Sequence, residues 1–205
     1  VEPTGPGVDT PECLEQVRAL MSGQAPTPRT TLNDIRLVIT DVDGVLTDGG
    51  LYLGAEGEAC KRFNVQNGLG ISCAIRNNLI VAIITGRQSE IVCRRAAEVG
   101  ITEIYQGVKN KKEMLAELAA KHSLHLTEVA YMGDDLNDLS ALSIAGLACA
   151  PGNAVQEVKE MADFVASKNG GEGAVREVVE TIMKARGEWA QIVAAYINNG
   201  QGDSQ

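Results

Sequence analysis

A chain of 205 residues with 44% hydrophobic residues is long enough for one well-buried domain and too short for two full α/β domains. Its net charge of −9 argues against a sequence-independent nucleic-acid surface, which needs clustered Lys and Arg, but leaves room for an anionic small substrate where a few cations gather locally. Aromatics are only 3%, so the core has to be built from Val, Ile, Leu and Ala.

The first predicted element is a leader over residues 1–31. Asp9-Thr10-Pro11-Glu12 supplies a cap, a proline at the first helical position and an acid in the first turn; Leu14, Val17, Leu20 and Met21 then keep helical spacing. Ser22 to Thr31 has linker composition, and a single domain is expected over 32–187. Ile35 to Thr40 reads as a buried parallel strand that ends in Asp41-Val42-Asp43-Gly44. Side chains alternate along an extended chain, so Asp41 and Asp43 point the same way. Solvent at an Asp-Gly turn would account for such a pair, and so would a hard cation such as Mg²⁺ beside it.

Residues 48–64 read as a β-hairpin overhanging this strand end. Beyond it, strands predicted near 80–84, 102–105, 128–132, 147–149 and 163–165 alternate with helices near 67–77, 88–99, 110–121, 136–144, 153–161 and 173–185. The fold class that follows is α/β, a Rossmann-like parallel sheet with helices on both faces and a small β-hairpin cap. Residues 188–205 form a tail with Trp189, Ile192, Val193, Tyr196 and Ile197 at helical spacing, and a neighbouring subunit is the expected cover for that stripe.

Three further strand ends carry polar signals. Thr85-Gly86-Arg87 puts a hydroxyl and backbone N–H groups at a helix start, where a phosphate is well held. Lys109, Lys111 and Lys112 sit at the next helix start, against the dipole, as a site neutralising an anion would require. Gly133-Asp134-Asp135-Leu136-Asn137-Asp138 unloads three acids from a buried strand, of which helix capping explains one.

Asp-x-Asp, Thr, Lys and Asp-Asp-x-x-Asp, in this order and each at a strand end, resemble the haloacid dehalogenase superfamily of phosphotransferases over about residues 35–185. The resemblance implies that Asp41 is the nucleophile that forms an aspartyl-phosphate and that Asp43 is the general acid and base. It further implies that Thr85 and Lys111 hold the phosphoryl oxygens, and that Asp41, Asp134 and the backbone carbonyl of Asp43 bind Mg²⁺. Asp135 and Asp138 would orient these ligands from behind. The hairpin cap, the stretches Asp41 to Gly49 and Lys61 to Gly68, and Gly170 to Glu177 are similar to the tetrameric sugar-acid phosphatases. Members of that branch hydrolyse 3-deoxy-manno-octulosonate 8-phosphate, in lipopolysaccharide sugar biosynthesis, or nonulosonate 9-phosphates. The likeness implies a homotetramer in which a neighbour's carboxy-terminal segment closes each site. Thr47, Asn67, Gly86 and Arg87 would then touch substrate, and Arg176 would reach it in trans. Arg87 and Glu98 lean toward the eight-carbon substrate, and the leader is similar to the carboxyl end of a 3-deoxy-manno-octulosonate cytidylyltransferase, as in a bifunctional polypeptide.

Two readings of other classes stand beside this one. A receiver-type signalling domain also combines acids, Thr and Lys at strand ends, but carries its phosphorylated Asp on the third strand, where this chain has Tyr105-Gln106. A non-catalytic oligomerisation domain of a sugar-acid cytidylyltransferase is the other. Cys13, Cys60, Cys73, Cys93 and Cys149 form no C-x-x-C pair and are expected to be small reduced hydrophobes. His122 and His125 are expected to be a solvated pair. With no run of spanning length and no signal-like amino end, the expected setting is the cytoplasm.

Overall fold

A computed structural model describes residues 30–199. At its centre lies β1 (Leu37–Thr40), buried at every position, which gives the segment no solvated face and explains its unbroken apolar sequence. Around it are β4 (Ile80–Ile84), β5 (Glu103–Tyr105), β6 (Val129–Met132), β7 (Leu147–Ala150) and β8 (Phe164–Val165), paired in the order β5-β4-β1-β6-β7-β8. Every pairing is parallel.

Strand alternation sorts the core into two layers. Val38, Val81, Ile83, Ala130, Met132 and Cys149 face a cluster shared with α1 (Val65–Arg76), α2 (Glu90–Val99) and α6 (Ala174–Ala185). Leu37, Ile39, Ala82, Ile84, Tyr131 and Ala148 face α3 (Lys111–Lys121), α4 (Leu139–Leu142) and α5 (Gln156–Met161). The chain runs β1, β4, β5 outward on one side, then returns to β6, β7 and β8 on the other, so β1 and β6 flank a topological switch point. Groups at their carboxyl ends open into a crevice there. Tyr131 is the one aromatic among the fully buried large side chains of the described residues, in keeping with a Val, Ile, Leu and Ala core.

Local chemistry sets the helix starts. Asn64, Ser89 and Asn110 cap α1, α2 and α3 by accepting from the backbone N–H of Asn67, Val92 and Glu113, and Gly100 ends α2 in the left-handed region. The helix expected over 136–144 is instead a 3-10 turn, Leu136–Asp138, followed by the four-residue α4. Asp138 is the cause: its Oδ2 accepts from the N–H of Asp134 and Asp135, tightening the turn. The hairpin is present as β2 (Tyr52–Gly54) and β3 (Gly57–Cys60), with Thr47 and Phe63 bridged at its base.

The tail forms α7 (Trp189–Asn199). Trp189, Ile192 and Tyr196 pack onto the chain's own core, so the expectation that a neighbour covers this stripe is corrected for that part, while Val193 and Ile197 stay exposed. The leader helix expected over 9–21 lies outside the described residues, as does Cys13. Cys73 and Cys149 are buried, but Cys60 and Cys93 are exposed and so are not core hydrophobes. No described helix is long and apolar enough to cross a membrane.

Candidate active site

The loop after β1 is folded around its own carboxylate. Asp41 N–H continues the β1–β6 ladder to the Met132 carbonyl (3.0 Å), and Asp41 Oδ1 accepts from Val42 N–H at 2.7 Å. Val42 carbonyl then receives the N–H groups of Val45, Leu46 and Thr47, curling the chain back beneath Asp41. Gly44 makes the turn at φ +85, and a Cβ there would lie 1.9 Å from Asp134 Oδ2. Only glycine lets the acid at the end of β6 come this close to the acid at the end of β1.

Behind them sits a buried charge cluster. Lys111 Nζ donates to Asp41 Oδ2 at 2.8 Å and to Asp138 Oδ1 at 2.7 Å, with its own side chain 2% exposed. Tyr131 O–H also donates to Asp138 Oδ1, at 2.7 Å. Both oxygens of Asp138 are thereby occupied, by Lys111 and Tyr131 on one and two backbone N–H groups on the other. Burial works against the Lys111 ammonium, yet the charges of Asp41 and Asp138 prevail and hold its pKa above the lysine value. Burial pushes Asp41 above the usual carboxylate range; Lys111 opposes the rise and Asp138 adds to it. Asp134 is pushed up to about 7, by burial first and then by the charges of Asp138, Asp41 and Asp135.

Asp41, Asp43, Gly49, Thr85, Gly86, Arg87, Asp134 and Asp135 line one cleft of about 490 Å³, together with Leu136 and Asn137. Thr85, 3% exposed, is fixed by its N–H to the Tyr105 carbonyl and by its own carbonyl to Val108 N–H. Arg87 Nε lies 3.7 Å from Asp43 Oδ2. Of the lysines at the start of α3 only Lys111 turns inward; Lys109 and Lys112 are exposed.

Thr47 and Asn67, expected at the substrate, lie away from the cleft, and Arg176, expected to act in trans, packs within its own chain. Thr47 is 1% exposed and spends its hydroxyl inside the loop, donating to Val42 carbonyl and accepting from Gly49 N–H. Asn67, 2% exposed, accepts from Arg176 N–H at 2.9 Å. Arg176 pairs with Glu180 at 3.0 Å and lies over the Trp189 ring at 4.8 Å, so within one chain it is a packing residue between α6 and α7. His122 contacts Glu103 and His125 is exposed; neither joins a metal-type cluster among the described residues. Sequence reasoning missed Lys61 and Tyr131. Tyr131 left a readable signal, a polar-tipped aromatic in an otherwise apolar buried strand, on the same face as Ile39.

Oxygens of Asp41, Asp134 and Asp138 come within 4.8 Å of one another. Since Asp138 is fully engaged, Asp41 and Asp134 are the carboxylates with lone pairs to offer a hard cation, and carboxylates outnumber cations around the cleft. Residues 88–178 match the haloacid dehalogenase-like hydrolase family. Over 164 residues, 80% of this chain and 87% of the relative, the sequence is 44% identical to the 3-deoxy-D-manno-octulosonate 8-phosphate phosphatase of Salmonella typhimurium. The chain belongs to this family of haloacid dehalogenase-like phosphatases. The Escherichia coli member is 45% identical over 76% of this chain and 82% of its own length. Among solved structures of the family, the Moraxella catarrhalis phosphatase in complex with a magnesium ion, a phosphate ion and a KDO molecule is 41% identical, with TM-score 0.78 over 80% of this chain and 95% of that one. The cobalt-bound Haemophilus influenzae phosphatase is 40% identical, with TM-score 0.77 over 80% and 98%.

Proposed function

We propose that this chain is a Mg²⁺-dependent phosphatase that hydrolyses 3-deoxy-D-manno-octulosonate 8-phosphate to the free sugar acid and inorganic phosphate. The observation that carries the reading is the convergence of Asp41, Asp43, Thr85 and Asp134 on one cleft, with Lys111 buried behind, in a chain 44–45% identical to phosphatases of that substrate. Asp41 attacks phosphorus, forming the aspartyl-phosphate as the bond to the sugar oxygen breaks, and Asp43 delivers its proton to that oxygen. Asp43 then takes a proton from water, which attacks phosphorus and releases Asp41 and phosphate. Lys111 has spent two of its three N–H donors on Asp41 and Asp138; the third, with the Thr85 hydroxyl, is free for the phosphoryl oxygens. Asp41, Asp134 and the main-chain carbonyl of Asp43 would hold the Mg²⁺. Its contribution is to screen the Asp41 carboxylate from the substrate dianion. Asp138 acts from behind, fixing Lys111 and the Asp134 backbone.

Phosphate release over a panel of sugar-acid phosphates, with and without Mg²⁺, tests this. The eight-carbon substrate is expected to exceed a nonulosonate 9-phosphate by about tenfold or more in kcat/KM, through Arg87 in the cleft. A nine-carbon substrate favoured tenfold would reverse the assignment, and no release from either would remove it.

Metal binding carries its own pH signature. A carboxyl raised to about 7 keeps its proton in the folded protein between the ordinary carboxylate range and pH 7. The unfolded chain is already ionised over that range, so stability falls as pH rises toward 7 and levels off above it, and below 7 the proton competes with Mg²⁺. Calorimetric titration is expected to show Mg²⁺ affinity about tenfold weaker at pH 6 than at pH 8. Equal affinities would contradict Asp134 as a ligand.

The assembly we propose is the homotetramer, its sites closed by a neighbour's carboxy-terminal segment. Exposed Leu51 and Leu53 on the hairpin and Ile197 on α7 support an oligomer. Light scattering is expected to give four times the chain mass of 21.7 kDa. A fully active monomer would contradict it. The four free cysteines described suit the reducing cytoplasm proposed as its setting.

A further inference from the structure

Lys61 is a charged side chain at the base of an exposed hairpin, and yet it is 2% exposed. Its ammonium is directed into the cleft wall, where it bonds Asp43 Oδ1 and, at 3.0 Å, Glu58 Oε1. Glu58 Oε2 in turn accepts from the Ser89 hydroxyl. Ser89 caps α2, and its backbone is clamped by Gln106: Ser89 N–H donates to Gln106 Oε1 at 2.6 Å and Gln106 Nε2 donates to Ser89 carbonyl at 3.2 Å. A continuous path thus runs from the end of β5, through the cap of α2 and the hairpin, to Asp43. Burying an ammonium between two carboxylates is costly unless its geometry is used, and the oxygen it takes on Asp43 is the one away from Arg87.

We propose that Lys61 is the positioning residue for Asp43: by holding Oδ1 it leaves Oδ2 turned into the cleft as the oxygen that exchanges protons with the leaving group and water. Glu58 and Ser89 anchor Lys61, so the hairpin sets the proton-transfer geometry. This rests on the phosphatase reading above.

The leaving group distinguishes a residue that acts through Asp43 from one that merely packs. A sugar alkoxide needs a proton to depart and p-nitrophenolate does not, and kcat/KM reports the steps up to that departure. Lys61→Met is expected to lower kcat/KM on 3-deoxy-D-manno-octulosonate 8-phosphate at least about tenfold more than on p-nitrophenyl phosphate. The inhibition constant of the free sugar acid should stay within about twofold, and Lys61→Arg should recover most of the loss. Equal losses on the two substrates, no loss on either, or sugar-acid binding that weakens in step with activity would each overturn the proposal. Should Lys61→Met melt at assay temperature, Glu58→Gln, which loosens the same ammonium from its other side, is read by the same comparison. Failure of the unmodified protein to release phosphate from either substrate would instead remove the phosphatase reading.

Discussion

Asp41→Asn is expected to abolish turnover, by at least about 10⁴-fold at saturating Mg²⁺, while leaving the folded structure in place. The substitution removes the attacking oxygen and one carboxylate charge with almost no change in volume. Its retained carbonyl oxygen can still accept from Val42 N–H, so the loop beneath keeps its shape. Lys111 keeps Asp138 as a partner at 2.7 Å, so no ammonium is stranded. Burial already pushes Asp41 toward its neutral form, which means a neutral amide at this position relieves a desolvation cost in the cation-free protein. The melting temperature should consequently stay within about 5 °C of the unmodified protein. Phosphate release and thermal melts followed by circular dichroism measure the two halves of this claim. More than about 1% residual activity would exclude an aspartyl-phosphate on Asp41, because no other described carboxylate lies beside Lys111 with an oxygen facing the cleft.

What the sequence revealed and what it concealed divide along physical lines. The sheet was legible because β1, β4 and β6 are buried on both faces, so an unbroken apolar run has one economical reading, and the polar residues that interrupt each run, acids after β1 and β6 and Thr85 after β4, mark its carboxyl end. Lys111 is singled out from Lys109 and Lys112 by family likeness, and Asp41, Asp43, Thr85 and Asp134 follow from those ends. Lys61 did not, since a lysine in a short exposed hairpin looks like any surface lysine until the hairpin's fold-back is known. Family likeness assigns Arg176 to a neighbour's substrate in trans; its position over Trp189 within its own chain depends on how α7 docks, which spacing within one helix cannot give. The break between the 3-10 turn and α4 was hidden for a similar reason: it comes from Asp138 reaching back to the N–H groups of Asp134 and Asp135, and a helical pattern does not encode where a carboxylate turns.

Lys111→Met is expected to cost both activity and stability, by about 10²–10³-fold in kcat/KM and about 3–5 kcal/mol. Its charge is sandwiched between Asp41 and Asp138, which are 5% and 0% exposed, and deleting it leaves two buried carboxylates facing one another. Stability and catalysis should then separate on a second change. Asp138→Asn in the Lys111→Met background removes one of the stranded charges, while the amide oxygen still accepts from Asp134 and Asp135 N–H and the amide N–H₂ can donate to the Tyr131 hydroxyl. The double variant is therefore expected to regain about half of the lost unfolding free energy and none of the lost activity, since nothing has replaced the donor to the phosphoryl oxygens. Chemical denaturation and kcat/KM on the eight-carbon substrate read the two effects independently. Should the single variant melt with the unmodified protein, the buried ion cluster does not hold the fold, and should the double variant recover activity with stability, Lys111 serves the cluster alone and never touches the phosphoryl group.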